Sequence, residues 1–287
     1  MKIFLLIICV LILIVVIFSI VDNKHLVTRI YKIKSEKIDR PLRIAFLSDL
    51  HDNKIGRDNC RLTEAVKKAC PDVILVGGDM ITAHKGCDIT DALKFMADIA
   101  AIGVPVVYGI GNHEYRMYRY REDYGDTYDK LIDGLRKLGI TVTENEKIDL
   151  KDIGIEVQGL MIDRKYYARF TPTELTKEAL REYIGEYDDS GFRVLLAHNP
   201  EYFDTYAGEA DLVLSGHVHG GIVRLPFLGG VMSTRLTLFP RYDGGRFDKD
   251  GSVMVISRGL GSHTLPFRVM NPVELVIIDI ERHDNVN

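Results

Sequence analysis

Cysteine is scarce in this chain of 287 residues, which contains four. Three of them, Cys60, Cys70 and Cys87, lie outside the apolar N-terminal segment, and their number is odd and their spacing unpaired. Such usage favours free thiols over a disulfide framework. None of the three has sequence neighbours that resemble a zinc site. The cysteines therefore fit a reducing compartment.

The sequence also lacks an excess of basic charge. Lys and Arg number 37 against 41 Asp and Glu, which gives a net charge of −4. No global field therefore attracts nucleic acid, and no nucleic-acid partner is expected. Internal repeats and low-complexity tracts are absent as well. At this length the chain can hold one sizeable α/β domain or at most two small ones.

An uncharged and strongly apolar segment covers residues 3–21. It is long enough to cross a membrane as a helix. A signal peptide and a buried core helix are the alternatives. No small-x-small cleavage site follows the segment, however, and it is apolar on every face. We therefore predict a retained single-span anchor, residues 1–22, in the cell membrane.

The residues after this segment bear on the orientation of the anchor. Lys2 alone precedes it, whereas six basic residues follow it, namely Lys24, Arg29, Lys32, Lys34, Lys37 and Arg40. This bias predicts that the remainder of the chain is cytoplasmic. Residues 23–40 are predicted as a juxtamembrane tether or as an edge strand leading into a domain of residues 41–283. Their basic character also favours contact with anionic lipid headgroups.

The stretch 44–51 combines a buried strand with two polar residues at its end. The apolar run is typical of a strand, and it ends in Asp49-Leu50-His51. On an extended segment, residues i and i+2 point to the same side. A carboxylate and an imidazole are therefore directed together from the C-terminal edge of a strand, where α/β sheets place their ligands.

Four further predicted strands end in polar residues of the same kinds. Strand, loop and helix alternate along the chain, which is typical of βαβ units and a parallel sheet. The polar residues that follow these strands are Asp79, Asn112, His113, His198, His217 and His219. Since the carboxyl ends of parallel strands share one edge, we expect all eight side chains to meet there.

The residue types in this set indicate the ions that they would bind. Carboxylate, imidazole and amide oxygen together suit Mn²⁺, Fe²⁺, Zn²⁺ or Co²⁺ rather than a thiolate-bound metal. The ligands are too many for one ion and sufficient for two. Two cations about 3.5–4 Å apart are held by a shared carboxylate and clamp the oxygens of a phosphoryl displacement.

The motifs D-x-H, G-D, G-N-H-E, a single H and G-H-x-H occur in this order after successive predicted strands. This set resembles the calcineurin-like metallophosphoesterase superfamily over roughly residues 41–281. The anchored layout and the closing segment 257–275 resemble the bacterial branch of UDP-2,3-diacylglucosamine pyrophosphatase type. The resemblance implies a four-layer αββα sandwich that carries a dinuclear metal site and hydrolyses phosphoesters with metal-activated water.

The resemblance also implies a role for each residue of the set. Asp49, His51 and His219 would hold one metal ion, and Asp79 would bridge to the second. Asn112, His198 and His217 would complete the second site. His113 would face the substrate as a general acid or a stabiliser of the transition state.

The sequence departs in three places from relatives of this superfamily, and these departures narrow the expected class of phosphoesterase, its metal pair and its substrate. Residues 78–84 do not continue as G-D-x-x-D-R-G, the extended block of the protein Ser/Thr phosphatases. Thr82 stands where purple acid phosphatases need a tyrosine ligand, which argues against a tyrosinate–iron pair. Ile222 replaces the glutamine that often follows G-H-x-H-G-G in anchored relatives, and this bears on the substrate rather than on the metal ligands.

Three hypotheses for function follow. The leading one is a dinuclear phosphoesterase that acts on a membrane-proximal or lipid-linked phosphodiester or pyrophosphate. It draws on the anchor and on the apolar loop at residues 225–228, which a buried hairpin explains equally well. The second is a soluble-nucleotide phosphodiesterase or a nuclease with the same site. The third is an inactive anchored binding module. Residues 115–128, rich in tyrosine and charge, are predicted as a substrate-covering loop or a solvated helix start.

Overall fold

The computed structural model describes residues 1–168, 173–187, 190–221, 223–233, 237–262 and 267–283, without the side chain of Leu11. The helices are α1 (Lys2–Asp22), α2 (Cys60–Ala69), α3 (Thr90–Ala100), α4 (Asn112–Arg119), α5 (Arg121–Tyr124), α6 (Thr127–Lys137), α7 (Lys177–Ile184) and α8 (Phe203–Tyr206). The strands are β1 (Leu26–Ser35), β2 (Leu42–Leu47), β3 (Val73–Val76), β4 (Val106–Gly109), β5 (Thr141–Thr143), β6 (Lys147–Leu150), β7 (Ile155–Leu160), β8 (Phe192–Ala197), β9 (Leu212–Ser215), β10 (Arg224–Leu225), β11 (Gly229–Gly230), β12 (Gly245–Lys249), β13 (Ser252–Ile256) and β14 (Val273–Arg282).

Two six-stranded sheets form the centre of the fold. The first has the order β1-β14-β2-β3-β4-β5 and the second the order β12-β13-β9-β8-β7-β6. Strands β2 to β5 are mutually parallel, as are β7, β8, β9 and β13. The alternation of strands and helices along the sequence leads to this arrangement, because a parallel pair needs a crossover connection.

Three apolar cores separate four layers. Between the sheets, Phe46 and Leu75 of the first sheet pack in one core with Val194 and Leu214 of the second. A second core lies between the first sheet and helices α2, α3 and α6, and a third lies between the second sheet and helices α7 and α8. The central strands are apolar on both faces because they are covered on both sides. The predicted αββα sandwich is confirmed.

Segment 23–40 contains a strand of the first sheet. β1 lies at the sheet edge and pairs in parallel with β14 over its whole length, from Leu26–Val273 to Ser35–Arg282. Of the two interpretations of this segment, a tether or an edge strand, the structure shows the edge strand. Short connections before and after β1 join it to α1 and to β2. α1 precedes it, carries no charge between Lys2 and Asp22 and is almost entirely exposed. It is long and apolar enough to cross a membrane.

Two other segments differ in detail from their predicted form. The amphipathic pattern of residues 173–183 predicts a helix that starts after Thr171-Pro172. In the structure it begins at Lys177, because Thr176 Oγ1 accepts the backbone N–H of Ala179 over 3.2 Å and caps it. The pair Thr171-Pro172, predicted to begin this helix, lies outside the described residues. Residues 115–128 fall in α4, α5 and α6, and Met117 is fully buried, so this stretch packs on the first sheet as helices.

Candidate metal centre

All eight predicted site residues follow the carboxyl ends of parallel strands. Asp49 and His51 follow β2, Asp79 follows β3, and Asn112 and His113 begin α4 directly after β4. On the second sheet, His198 follows β8, while His217 and His219 follow β9. The two sheets are stacked so that these edges coincide, and the imidazole of His198 reaches the carboxylate of Asp79 across the interface.

The backbone at this edge turns sharply. Asp49, His51, Asp79, His217 and His219 all have φ between 48° and 69°, the left-handed region that residues with a side chain rarely occupy. Such conformations cost roughly 1–3 kcal/mol each and persist where the surroundings enforce them. Here backbone hydrogen bonds join the turns, from the N–H of Asp49 to Gly78 O and from the N–H of His51 to Asp79 O, each 3.1 Å long.

Glycine lets two of these turns come into contact. A Cβ atom on Gly111 would lie 2.2 Å from Asp79 Oδ1, closer than any real Cβ contact. Without that atom, Asp79 Oδ1 accepts the N–H of His113 over 2.8 Å. The glycine of the G-N-H-E motif therefore allows the Asp79 carboxylate to sit against the N-terminus of α4, which favours negative charge.

Side-chain donor atoms form three overlapping groups in which all ligand atoms lie within 4.8 Å of one another. The groups are Asp49, His51 and His219; His51, Asp79 and His113; and Asp79, His198 and His217. Asp79 Oδ2 lies 3.2 Å from His198 Nε2 and 3.7 Å from His51 Nε2, while Asp49 Oδ1 lies 3.5 Å from His219 Nε2. The structure thus brings seven of the eight predicted side chains together, and Asn112 adjoins them in α4.

Hydrogen bonds to the far ring nitrogen assign the tautomers of three histidines. His198 Nδ1 donates to Gly77 O over 2.8 Å, and His219 Nδ1 donates to Gly261 O over 3.1 Å. In both rings the neutral form then has a lone pair on Nε2, as a metal ligand requires. His113 is the opposite case, since its Nδ1 accepts the backbone N–H of Ala83 over 2.8 Å. Its Nε2 must therefore carry the proton.

His198 Nε2 and Asn112 Oδ1 are buried atoms of the site that lack a hydrogen-bond partner. Asn112 Oδ1 is a carbonyl acceptor, and His198 Nε2 is an acceptor in the neutral ring, which donates through Nδ1. Buried polar atoms are normally satisfied, so an orphaned pair of acceptors beside two carboxylates indicates a missing positive charge. A divalent cation with nitrogen and oxygen ligands fits this donor set.

The electrostatics of the site also favour a bound cation. Burial alone would raise the pKa of Asp79, yet the imidazoles of His198 and His113 hold it well below its usual value. Burial opposes a charge on His198, but the carboxylates of Asp79 and Asp49 raise its pKa to about 10. The two buried carboxylates therefore demand compensating positive charge, which a metal ion supplies as well as a proton does.

Glu114 is a member of the site that the sequence reasoning did not single out. Its buried carboxylate accepts the backbone N–H groups of Asp79 (2.8 Å), Met80 (3.1 Å) and Gly111 (3.1 Å), and the hydroxyl of Tyr108 (2.7 Å). It therefore fixes the turn that carries Asp79 to the start of α4. The spacing of Gly111 and Glu114, N-cap and N3 of a capping box, was the available signal.

The closing segment, residues 257–275, is hydrogen-bonded to both the backbone and the ring of His219. Asn271 Nδ2 donates to His219 O over 2.7 Å. The guanidinium of Arg268 is buried and donates to Arg258 O (2.6 Å), Gly261 O (2.5 Å) and Asn271 O (3.1 Å). Gly261 O in turn accepts from His219 Nδ1. The closing segment therefore orients a predicted metal ligand through its second ring nitrogen.

Comparison with known families decides the class of this fold and site. A family model described as calcineurin-like phosphoesterase matches residues 42–221, more than half of the chain and all eight candidate residues. The chain belongs to this family. It is therefore a metallophosphoesterase, a hydrolase of phosphoric esters, and its residue clusters are consistent with divalent metal ions.

Several curated bacterial proteins are similar to this metallophosphoesterase. The uncharacterized protein YpbG of Bacillus subtilis (strain 168) is 24% identical over 92% of this chain and 90% of its own length. An uncharacterized metallophosphoesterase of Aquifex aeolicus (strain VF5) is 27% identical over 89% and 92%. The phosphodiesterase YaeI of Escherichia coli (strain K12) is 26% identical over 66% of this chain and 64% of its own length.

Proposed function

We propose that this metallophosphoesterase uses two divalent metal ions to hydrolyse a phosphodiester or pyrophosphate. Asp49, His51 and His219 hold one ion, and Asn112, His198 and His217 hold the other. Asp79 is shared between them. The identity of the ions is proposed within the set Mn²⁺, Fe²⁺, Zn²⁺ and Co²⁺, with Mn²⁺ as the first to test.

The observation that carries this assignment is the position of Asp79 Oδ2. It lies 3.7 Å from Nε2 of His51, in the first proposed ligand set, and 3.2 Å from Nε2 of His198, in the second. A carboxylate oxygen between two sets of imidazole nitrogens is what a bridging ligand requires. The other carboxylate oxygen, Asp49 Oδ1, lies 3.5 Å from His219 Nε2 and 3.8 Å from Nε2 of both His51 and His198, so it is farther than Asp79 Oδ2 from His198 of the second set.

His113 supplies the proton in this proposal. The N–H of Ala83 occupies its Nδ1, so the ring proton lies on Nε2, from which a substrate oxygen would receive it. Nε2 lies 4.0 Å from the shared Asp79 Oδ2, and the ring is buried, which keeps the donor at the reacting centre. The bound ions would polarise the phosphoryl group and activate water at neutral pH. His113 then donates to the leaving-group oxygen or stabilises charge on the phosphoryl oxygens.

The proposed substrate is membrane-proximal or lipid-linked. Support comes from α1, an exposed helix of 21 residues that carries no charge between Lys2 and Asp22. A helix of that length and composition is suited to hold the enzyme in the cell membrane as a single-pass protein. A catalytic domain fixed at a bilayer meets lipid-linked phosphoesters at high effective concentration.

An activity screen of the protein, with its N-terminal helix retained, tests both the hydrolase activity and the proposed substrate class. With Mn²⁺, the enzyme should hydrolyse bis(p-nitrophenyl) phosphate, whereas Asp79→Ala should be inactive and Asp133→Ala, at an exposed position of α6, should match the wild type. Among natural substrate classes, a nucleoside diphosphate linked to an acylated sugar should be cleaved faster than the same compound without acyl chains. A preference for free nucleotides or nucleic acid would overturn the substrate class and leave the hydrolase intact.

A further inference from the structure

The end of α1 is fixed to the edge of the fold that carries the metal centre. β1 is parallel to β14, and β14 is antiparallel to β2, so β1 runs opposite to β2. Leu26, the first residue of β1, pairs with Val273, while Val276 pairs with Phe46 near the end of β2. The chain therefore passes from α1 into the domain at the edge where Asp49 and His51 lie.

Side-chain hydrogen bonds hold the last turn of α1 against this edge. The N–H of Asn271 donates to Asp22 Oδ2 over 2.8 Å, and the N–H of Arg268 donates to Ser19 Oγ over 3.2 Å. Ser19 and Asp22 are buried, whereas the other described side chains of the helix are exposed apart from the half-buried Val15. The segment that receives α1 is the one that supports His219, so hydrogen bonds through Asn271 join the end of the helix to the loop of a proposed metal ligand.

Six large apolar side chains are exposed beside this junction. We name them the apolar rim: Leu225, Phe227, Leu228, Leu238, Phe239 and Met270. Phe227 is fully exposed, and Leu228 and Leu238 are exposed by 66% and 65%. Within the described part of the chain after α1, the only other exposed large apolar side chains are Ile30 and Tyr118. The apolar exposure of the domain is thus concentrated in one region.

The three segments of the apolar rim are joined to one another. Val223, next to the β10–β11 hairpin, bridges to Val269, and the N–H of Phe239 donates to Val231 O over 2.9 Å. Met270 lies between Val269 and Asn271, and Asn271 binds Asp22 of α1. The apolar rim therefore lies between the end of the anchor helix and the loop that carries His219.

The backbone of the apolar rim adds an independent indication. Phe227, Phe239 and Met270 have φ of 67°, 47° and 54°, in the region where glycine is the relaxed choice. Bulky side chains there strain the backbone, although Phe227 gains no burial in the domain and Phe239 and Met270 remain exposed by 56% and 46%. Large exposed apolar patches mark surfaces that contact a protein partner, a ligand or a membrane.

We propose that the apolar rim inserts into the interface of the bilayer that α1 crosses. The occupant is the lipid surface itself, because the rim adjoins the end of the proposed membrane span and is fixed to it. Insertion holds the metal centre at the level of the lipid headgroups and thereby favours phosphoesters attached to a lipid. This inference rests on the proposed membrane anchor.

Tryptophan fluorescence in vesicles tests this insertion directly, because the chain contains no tryptophan. The full-length protein is reconstituted in phosphatidylcholine vesicles that contain lipids with brominated acyl chains, which quench nearby indole rings. Phe227→Trp and Leu238→Trp report on two segments of the apolar rim. Phe18→Trp reports on α1, and Lys151→Trp reports on an exposed turn before β7, at the opposite edge of the second sheet.

We expect both rim probes to lose emission about as strongly as Phe18→Trp, while Lys151→Trp keeps its emission. Quenching of Phe18→Trp without either rim probe would overturn the insertion and leave the anchor standing. Quenching of only one rim probe, or equal quenching of Lys151→Trp, would contradict the rim as one membrane-facing surface. An unquenched Phe18→Trp would remove the anchor, and the insertion with it.

Discussion

The backbone N–H of Ala83 donates a hydrogen bond of 2.8 Å to Nδ1 of His113. The relation is the reverse of that at His198, whose Nδ1 donates to a carbonyl oxygen. Two buried histidines in one site are thereby set in opposite tautomers by main-chain groups. His113 can therefore donate a proton from Nε2, whereas neutral His198 can donate the lone pair of its Nε2 to a metal ion.

His113→Gln should lower kcat while leaving the metal content unchanged, because Nε2–H of His113 is a proton donor rather than a ligand. The expected loss is about 10²–10⁴-fold. The loss should be smaller with p-nitrophenolate as the leaving group, since this group needs no proton. Steady-state kinetics on two substrates and metal analysis of the purified variant check the prediction. Loss of metal from this variant would make His113 structural.

Asp79→Ala should lose both metal ions, or nearly all activity, because one carboxylate serves the two proposed sites. Without it, two cations would repel each other at short range. Asn112→Ala should act more mildly and weaken only the second site. Metal titration of both variants separates these cases. An active Asp79→Ala protein with both ions at the wild-type level would refute the shared ligand.

Glu114→Gln should destabilise the turn that carries Asp79. The amide group replaces one acceptor oxygen by a donor, so one of the buried N–H groups of Asp79, Met80 or Gly111 loses its partner. We expect the free energy of unfolding to fall by about 1–3 kcal/mol. Urea unfolding measures this change, and Glu122→Gln, exposed in α5, should have little effect. Equal stability of the two variants would contradict a positioning role.

Phe227→Gly should stabilise the protein in detergent solution, contrary to the usual effect of glycine. Its φ of 67° suits glycine, and its exposed side chain contributes no packing within the domain. We expect a gain of about 1 kcal/mol in the free energy of unfolding. The matched variant Leu228→Gly, next to it but without positive φ, should lose about 0.5–1 kcal/mol. The reverse order of the two variants would show that Phe227 is unstrained.

The side of the membrane on which the domain lies is predicted from Lys2 and the six basic residues that follow the apolar segment. Cys60 and Cys70 are exposed free thiols and serve as native labels. A membrane-impermeant maleimide should label neither residue in intact cells and both after lysis. A variant with serine at both positions controls for labelling elsewhere. Ready labelling without lysis would place the domain outside the cell.

The site was more predictable from sequence than the framework around it. Asp49 and His51, or His217 and His219, lie two residues apart after an apolar strand, and such local patterns need only the geometry of one extended segment. Parallel strands then bring the separate pairs to one edge. The roles of Glu114 and Arg268 were not apparent, because their partners are main-chain groups of distant turns that no side-chain pattern encodes.

The place of β1 could not be derived from its own residues. The alternation in residues 31–34 allowed a strand, but the choice of β14 as its partner depends on contacts between the two ends of the chain. For the same reason, the attachment of α1 to the closing segment was unforeseen. Asp22 and Asn271 become neighbours only when the first sheet is complete.

The pairing of β1 with β14 also sets an order of events during synthesis. Leu26–Ser35 leaves the ribosome before its partner strand, Val273–Arg282, has been synthesised. The edge strand therefore stays unpaired, beside a helix suited to the membrane, until β14 has been synthesised. A chain truncated before residue 273 would leave β1 unpaired at the bilayer surface, where quality-control proteases can recognise it.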